Sequence, residues 1–325
     1  MKDQILRILY RHQGRALSGE EISQQLGVSR TAVWKHIKVL REEGHIITSK
    51  PKVGYVLTSN YDNMFPAEIE AQMASSALGN KVIFEREVES TNDLAKLEAE
   101  KGAAHGTIVL ANKQSKGRGR RGRHWASNNP QGIWFSLILR PKISPMMAPK
   151  LTFVAAVAIV EAVYKATGIQ LDIKWPNDLY FEGKKVAGIL TEMKAELDLV
   201  YYIIIGIGLN VNQKELDFDS EIRAIASSLA VTANKGFERQ QILVQILQAL
   251  EKWYSLFLEK GFKPILDKWR IADITIGKQV LVREVTKEYV GWVKDIDEDG
   301  SLLVENYQGE LRKVMSGEVS IILSP

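Results

Sequence analysis

Six cationic side chains crowd into residues 113–125 (KQSKGRGRRGRHW): Lys113, Lys116, Arg118, Arg120, Arg121 and Arg123, with three glycines and no acid among them. Glycine at every second or third position makes a regular helix or strand costly. The run is therefore expected as a loop between the apolar, strand-like runs at 107–111 and 132–140. Backbone N–H groups come close to a ligand where no Cβ intervenes, and arginine forks supply paired donors. That chemistry suits an anion spread over several oxygens, a polyphosphate or an acyl phosphate. The plainer alternative is a solvated basic loop that touches nucleic acid. Residues 117–122 also satisfy G-x-G-x-x-G, but the dinucleotide fingerprint needs an apolar strand entering the glycines and a helix leaving them. Here a polar stretch precedes them and His-Trp-Ala-Ser-Asn-Asn-Pro follows, and no Gly-Lys-Ser/Thr closes a P-loop.

Other stretches carry chemistry of their own. Ser90-Thr91-Asn92 opens a helix, as plain caps or as a neutral donor–acceptor set for a urea- or amide-like ligand. Leu171-Asp-Ile-Lys-Trp-Pro-Asn-Asp178 ends a strand in a turn imposed by proline, and a hairpin at Glu182-Gly183 leads into KKVAGILTE. Lys184 and Lys185 are adjacent, so along a strand they point to opposite faces, and Lys185 is assigned to the site. Gly206-Ile-Gly208-Leu-Asn210-Val-Asn212 leaves an apolar strand, either as close backbone approach to a ligand or as a glycine bulge with asparagine turns.

Around these groups, 325 residues suffice for two or three domains, and 45% hydrophobic with 25% charged residues is ordinary for a globular protein. The absence of cysteine excludes structural disulfides, thiolate metal sites and a thiol nucleophile; no metal-ligand set is assigned to the chain. No apolar run is expected to reach the roughly 20 residues of a membrane span, and no signal peptide is apparent, so a cytoplasmic protein without a membrane partner is expected. Residues 1–60 hold ten lysines and arginines against five acids, a net of +5, whereas the whole chain is at +4. The basic excess belongs to the N-terminal part and points to nucleic acid.

Residues 1–62 read as a winged helix-turn-helix. Ile5, Leu6, Ile8 and Leu9 pattern a first helix, and Ser18-Gly-Glu-Glu21 is a capping box opening a second. After a turn at Gly27, Ser29 caps a third helix near 30–43, with Val33, Ile37 and Leu40 inward. Arg30, Thr31, Trp34, Lys35 and Lys38 lie on its outer faces, the arrangement of a major-groove recognition helix. Two short strands around a turn carrying Lys50 and Lys52 make a wing for phosphates. A three-helix interaction module with a solvated charged face is the alternative. Residues 61–66 read as a linker. Residues 66–270 alternate strands (81–88, 132–140, 184–192, 201–206) with helices, of which 150–167 is apolar and buried. Residues 271–325 read as five short strands, a small SH3-like barrel without evident chemistry.

STN at 90–92, KQSKGRGRRGRHW at 113–125, KWPND at 174–178, KKVAGIL at 184–190 and IGIGLNVN at 205–212 resemble the motif series of biotin protein ligases. With the winged helix in front, the chain resembles their bifunctional class, biotin–[acetyl-CoA-carboxylase] ligase and biotin operon repressor. The resemblance implies an α+β fold of three parts: the winged helix-turn-helix, a central mixed sheet with helices of the class II synthetase/biotin ligase kind, and the C-terminal barrel. It implies biotin and ATP as substrates, Mg²⁺ carried with ATP, and biotinyl-5′-AMP as intermediate and corepressor. The implied partners are a biotin carboxyl carrier protein of acetyl-CoA carboxylase, operator DNA, and a second copy of the chain once liganded. By the same resemblance Arg118, Gly119 and Arg120 enclose carboxylate and phosphate, and Lys185 offsets charge at the reacting centre. Ser90, Thr91, Asn92 and Gln114 hold the ureido ring and neighbouring chain, and Gly188 leaves room for the ligand. Arg121, Arg123, Trp125, Asn177 and Asn210 fall on the nucleotide side, and Asp178 either assists deprotonation of the acceptor lysine or caps its turn. A lipoate-type ligase and a non-catalytic biotin-sensing transcription factor are the rival readings.

Overall fold

The computed structural model describes residues 1–12, 14–42, 45–50, 53–58, 64–284, 287–315 and 317–322. Ile5, Leu9, Ile22, Val33, Ile37 and Leu40 are fully or almost fully buried and form one small core. They draw together α1 (Lys2–Arg11), α2 (Gly19–Leu26) and α3 (Arg30–Glu42), with the hairpin β1 (Ile46–Lys50) and β2 (Gly54–Thr58) against them. The capping box closes as read: Ser18 Oγ accepts from Glu21 N–H at 3.1 Å, and Ser18 N–H donates to Glu21 Oε2 at 2.7 Å. Ala67 of α4 (Pro66–Gln72) completes this core, so the helix after the linker is shared with the central domain.

The central domain is a seven-stranded sheet of β3 (Val82–Val88), β4 (Ile108–Gln114), β5 (Ile133–Leu139), β6 (Asp172–Lys174), β7 (Asp178–Phe181), β8 (Lys184–Glu196) and β9 (Leu199–Leu209). Its order is β3-β4-β5-β9-β8-β7-β6; only β3 and β4 run parallel, so the sheet is mixed. Side chains alternate between faces. Phe135, Leu137, Leu139, Ile203, Ile205 and Ile207 enter the main core, under α6 (Leu151–Thr167), α8 (Arg239–Lys260) and α9 (Lys263–Ala272). Ile138, Tyr202 and Ile204 face the other way, onto α5 (Thr91–Glu100). A short α7 (Leu229–Ala233) precedes α8. The helical stretch Pro145–Thr167 that contains α6 is, contrary to the sequence expectation, long and apolar enough to cross a membrane. Most of it is buried inside the core, which accounts for its uniform apolarity.

The C-terminal strands β10 (Gln279–Arg283), β11 (Glu288–Ile296), β12 (Leu302–Asn306), β13 (Leu311–Val314) and β14 (Glu318–Ile321) form an antiparallel sheet in the order β13-β12-β11-β10-β14. Their apolar residues join the central core without a break. Trp175 N–H donates to Thr275 Oγ1 at 3.1 Å and its Nε1–H to the Gly300 carbonyl at 3.0 Å.

Candidate active site

On the α5 face three glycines and a serine fall side by side on the middle strands. Ser136 of β5 stands opposite Gly206 of β9, which faces Leu190; Gly208 stands between Trp134 and Gly188. Between Trp134 and Leu190, the strand positions facing α5 thus form a floor of glycine backbone with one hydroxyl. Each gap is matched to a neighbour. A Cβ on Gly206 would lie 2.0 Å from Asn92 Oδ1, and one on Gly208 would lie 2.4 Å from Trp125 Nε1. The room beside Gly188 is therefore taken up in this structure by the Trp125 indole, 3.3 Å from where a Cβ would stand.

At the edge of that floor α5 begins. Ser90 occupies its N-cap without a side-chain cap bond, so capping does not explain it, and Ser90, Thr91, Asn92 and Gln114 are all buried. Thr91 donates to Gln114 Oε1 from its N–H at 2.8 Å and its hydroxyl at 3.0 Å. Gln114 Nε2 donates to Ser127 Oγ at 3.0 Å, and the Ser136 hydroxyl donates to Asn92 Oδ1 at 2.6 Å. Asn92 Nδ2 in turn donates to Glu192 Oε2 at 2.7 Å. This set of neutral polar groups, anchored at one end on the Glu192 carboxylate, holds its members in fixed orientations. Ser127, Ser136 and Glu192 were not singled out from the sequence, whereas Gly206 was read as a point of close backbone approach or a glycine bulge. Ser136 did carry a signal, as the lone polar residue of a strand buried throughout.

The basic loop is more ordered than its glycines imply. Lys113 and Gln114 belong to β4, correcting the expectation that the whole run is irregular. Strand pairing with β3 overrides propensity there. Beyond them Arg118 and His124 form an isolated antiparallel bridge around a 3-10 turn at Arg120–Gly122. Arg118 pairs with Asp93 and lies 3.5 Å from Glu192. Arg120 turns toward Asn177, whose Nδ2 donates to the Ile189 carbonyl at 2.8 Å. Burial and neighbouring Arg121 lower the pKa of Arg120, opposed by Asp178 and Glu318. Two nucleotide-side assignments are drawn elsewhere. Exposed Arg123 pairs with Glu318 of the C-terminal sheet, and buried Asn210 spends its amide on the Ser227 carbonyl at 3.0 Å and Gln213 at 3.1 Å. Arg121 is exposed, at a positive φ of 55°.

Lys185 reaches the site through a slip in register. Leu179 pairs with Ala187 but Tyr180 with Lys185, so the pairing skips one residue of β8. That puts Lys185 on the face of Gly188, its Nζ 3.7 Å from where a Cβ on Gly188 would stand. The amine lies 2.7 Å from Asp178 Oδ1 and 5.2 Å from the Trp125 ring centre. Lys174, also not singled out, stands over Tyr180 at 5.4 Å. Burial lowers its pKa, Asp178 opposes this, and Lys185 and Arg123 add to it. Lys185, with Asp178 on its amine, thus stands at the glycine floor, with Arg118, Arg120 and Lys174 nearby and Asp93 and Glu192 on Arg118, beside a neutral polar pocket. Such a site holds an acid at one end and stabilises phosphate charge at the other.

On the N-terminal domain, Ser29, Arg30, Thr31, Trp34, Lys35 and Lys38 are all exposed along α3, and Ser29 Oγ accepts from Ala32 N–H at 3.2 Å. Lys50 ends β1 at the wing, while Lys52 lies outside the described residues.

The sequence model of the Biotin/lipoate A/B protein ligase family matches residues 84–210, that of an HTH domain matches 2–56, and that of the Biotin protein ligase C terminal domain matches 275–321. The chain is similar to the bifunctional ligase/repressor BirA of Bacillus subtilis, 41% identical over 305 residues and 94% of either chain. The chain belongs to the bifunctional biotin ligase/repressor family. BirA of Escherichia coli is 30% identical over 311 residues, 95% of this chain and 94% of its own. Among solved structures, the biotin protein ligase from Aquifex aeolicus in complex with biotin and ATP matches with a TM-score of 0.66 at 32% identity, covering 75% of this chain and 99% of that one. Membership bears out the three-part fold class and places the floor, pocket and loop in a ligase. It also separates this chain from lipoate ligases, which share the central family, because the likeness to the ligase/repressors runs through the DNA-binding domain as well.

Proposed function

We propose that the chain activates biotin with ATP to biotinyl-5′-AMP, transfers biotin to one lysine of a biotin carboxyl carrier protein, and represses transcription as a liganded homodimer on operator DNA. The observation that carries the enzymatic part is the backbone floor between a neutral polar pocket and a cluster of cations. Ser90, Thr91, Asn92 and Gln114 hold the ureido end by hydrogen bonds. Arg118, Gly119 and Arg120 receive the carboxylate and the α-phosphate. A carboxylate oxygen bonds to the α-phosphorus as the bond to the β-phosphate oxygen breaks, and pyrophosphate leaves. The nucleophile is already an anion, so no general base is required. The barrier is repulsion between anions, which Arg120 and Lys185 lower. Mg²⁺ arrives with ATP, on its phosphates and water. In the second step the acceptor amine attacks the acyl carbon and AMP leaves with the bonding pair. Asp178, beside Lys185, either takes the amine's proton or fixes the ammonium of Lys185.

The loop serves both steps, since closing over the mixed anhydride keeps water from it. Its closure over the adenylate also completes a homodimer surface, which sets two α3 helices into successive major grooves of an inverted repeat, with the β1–β2 wings on the backbone. Biotin-dependent ATP–pyrophosphate exchange, repeated with lipoate and octanoate, tests the ligase reading. Exchange with biotin alone is expected, and exchange with lipoate instead would overturn it. Sedimentation with and without biotin plus ATP tests the switch, which an unchanged monomer–dimer balance would exclude.

A further inference from the structure

We propose that Asp93, backed by Glu192, is a carboxylate placeholder on Arg118: the substrate's carboxylate must displace it to bind, and this contest sets both the affinity for biotin and the selectivity for an acid. The proposal rests on Arg118 being the group that receives that carboxylate.

The contacts meet on one atom. Arg118 Nη2 pairs with Asp93 Oδ1 and lies 3.5 Å from Glu192 Oε2. A guanidinium offers a carboxylate two bidentate forks, Nη1 with Nη2 or Nε with Nη2, and both use Nη2. Nη2 carries one hydrogen for each fork, and with Asp93 paired to it and Glu192 3.5 Å away, both acids compete with an incoming carboxylate at the atom the two forks share. Arg118 Nε is buried without a hydrogen-bond partner, so the side chain is not satisfied as it stands. Such an unmade bond is costly, and an arrangement that uses the fork fully recovers it.

Release is cheap for the acids because a second cation stands beside them. Lys96 Nζ lies 2.6 Å from Glu192 Oε1 and 3.7 Å from Asp93 Oδ1. When Arg118 turns to a ligand, Lys96 keeps both carboxylates paired, and no acid is stranded in the pocket wall. Asp93 sits in the first turn of α5, half exposed, directly after the Asn92 assigned to the ureido pocket. Filling that pocket therefore acts on the turn that presents the placeholder. A neutral ligand makes the same pocket contacts but has no charge with which to take Arg118 from Asp93.

Asp93→Asn tests this, because Asp93 touches no pocket group directly. Direct binding is measured for biotin and for biotin amide, alongside the KM of biotin in pyrophosphate exchange. Removing the competitor should tighten biotin about three- to tenfold, leave biotin amide unmoved, and be reversed by Asp93→Glu. Weaker biotin binding in Asp93→Asn would mean that Asp93 orients Arg118 toward the ligand, overturning the proposal. Equal shifts for biotin and its amide would mark a merely structural effect and overturn it as well. Arg118→Ala is the separate control: unchanged biotin affinity there would remove the assigned role of Arg118, whatever Asp93 does.

Discussion

Retention of the intermediate is proposed to turn on Arg120. It is half-buried and aimed at Asn177, where burial and the neighbouring Arg121 charge lower its pKa and Asp178 and Glu318 oppose this. Arg120→Gly should leave the fold intact, since the loop bridge runs through Arg118 and His124, but release biotinyl-AMP into solution. Gel filtration after one turnover, with mass spectrometry of bystander proteins, should find free adenylate and indiscriminate lysine labelling; retention equal to the parent's would end this assignment. Gly206 makes the opposite kind of demand, for absence of a side chain. A Cβ there would drive into Asn92 Oδ1, which already accepts from Ser136. Overpacking of this sort costs about 1–3 kcal/mol. Gly206→Ala should raise the KM of biotin by at least about tenfold with ATP affinity little changed, readable in the same exchange assay.

Elements decide how such residues are presented. The capping box on α2 fixes the entry of the first helix of the helix-turn-helix, and Leu17, just before it, pairs with Tyr55 of the wing. Ser18→Ala removes the side-chain acceptor at a cost of about 1 kcal/mol. Operator affinity measured near the melting temperature of the N-terminal domain should therefore fall, while biotin-dependent exchange at the same temperature stays within error. Loss of both activities together would mean that the two domains unfold as one. At the other end, Trp175 bonds to Thr275 and Gly300. The motif that presents Asn177 and Asp178 is thereby tied to the C-terminal sheet, for which composition suggested no role.

The whole molecule is joined at α4. Arg7 of α1 pairs with Glu70, and the rings of His45 and Phe65 stack with centres 3.6 Å apart. Gln240 of α8 accepts from Phe65 N–H at 3.2 Å and donates to Glu68 at 2.9 Å. Glu68 is 3% exposed; burial raises its pKa from 4.5 to about 7, with the Gln240 bond opposing. Between those two values the folded chain holds a proton that the unfolded chain has released, so stability declines as pH rises through that window. The full effect is at most about 3 kcal/mol. Glu68→Gln should flatten this dependence and make the variant the more stable of the two above pH 7, by roughly 1–3 kcal/mol. Urea unfolding at pH 5.5 and pH 8 checks it; parallel shifts in parent and variant would place the proton elsewhere.

The sequence by itself determined whatever follows from local chemistry and short spacing. It was enough for the capping box, the helix-turn-helix, the buried apolar helix and the grouping of six cations with glycine. It also carried the motif series that names the family. Adjacent strand residues diverge, so only one of Lys184 and Lys185 could face the site, but the register slip that delivers Lys185 was invisible. Only the tertiary structure decided what long-range pairing controls. The floor exists because Gly188, Gly206 and Gly208 fall on one face of neighbouring strands, which depends on register between segments far apart in the chain. The same pairing spent Asn210 on Ser227 and Gln213, tied Arg123 to Glu318, and brought Asp93 and Glu192 onto Arg118. A residue's type fixes which bonds it is able to make; which of them it does make depends on neighbours that only the folded chain supplies.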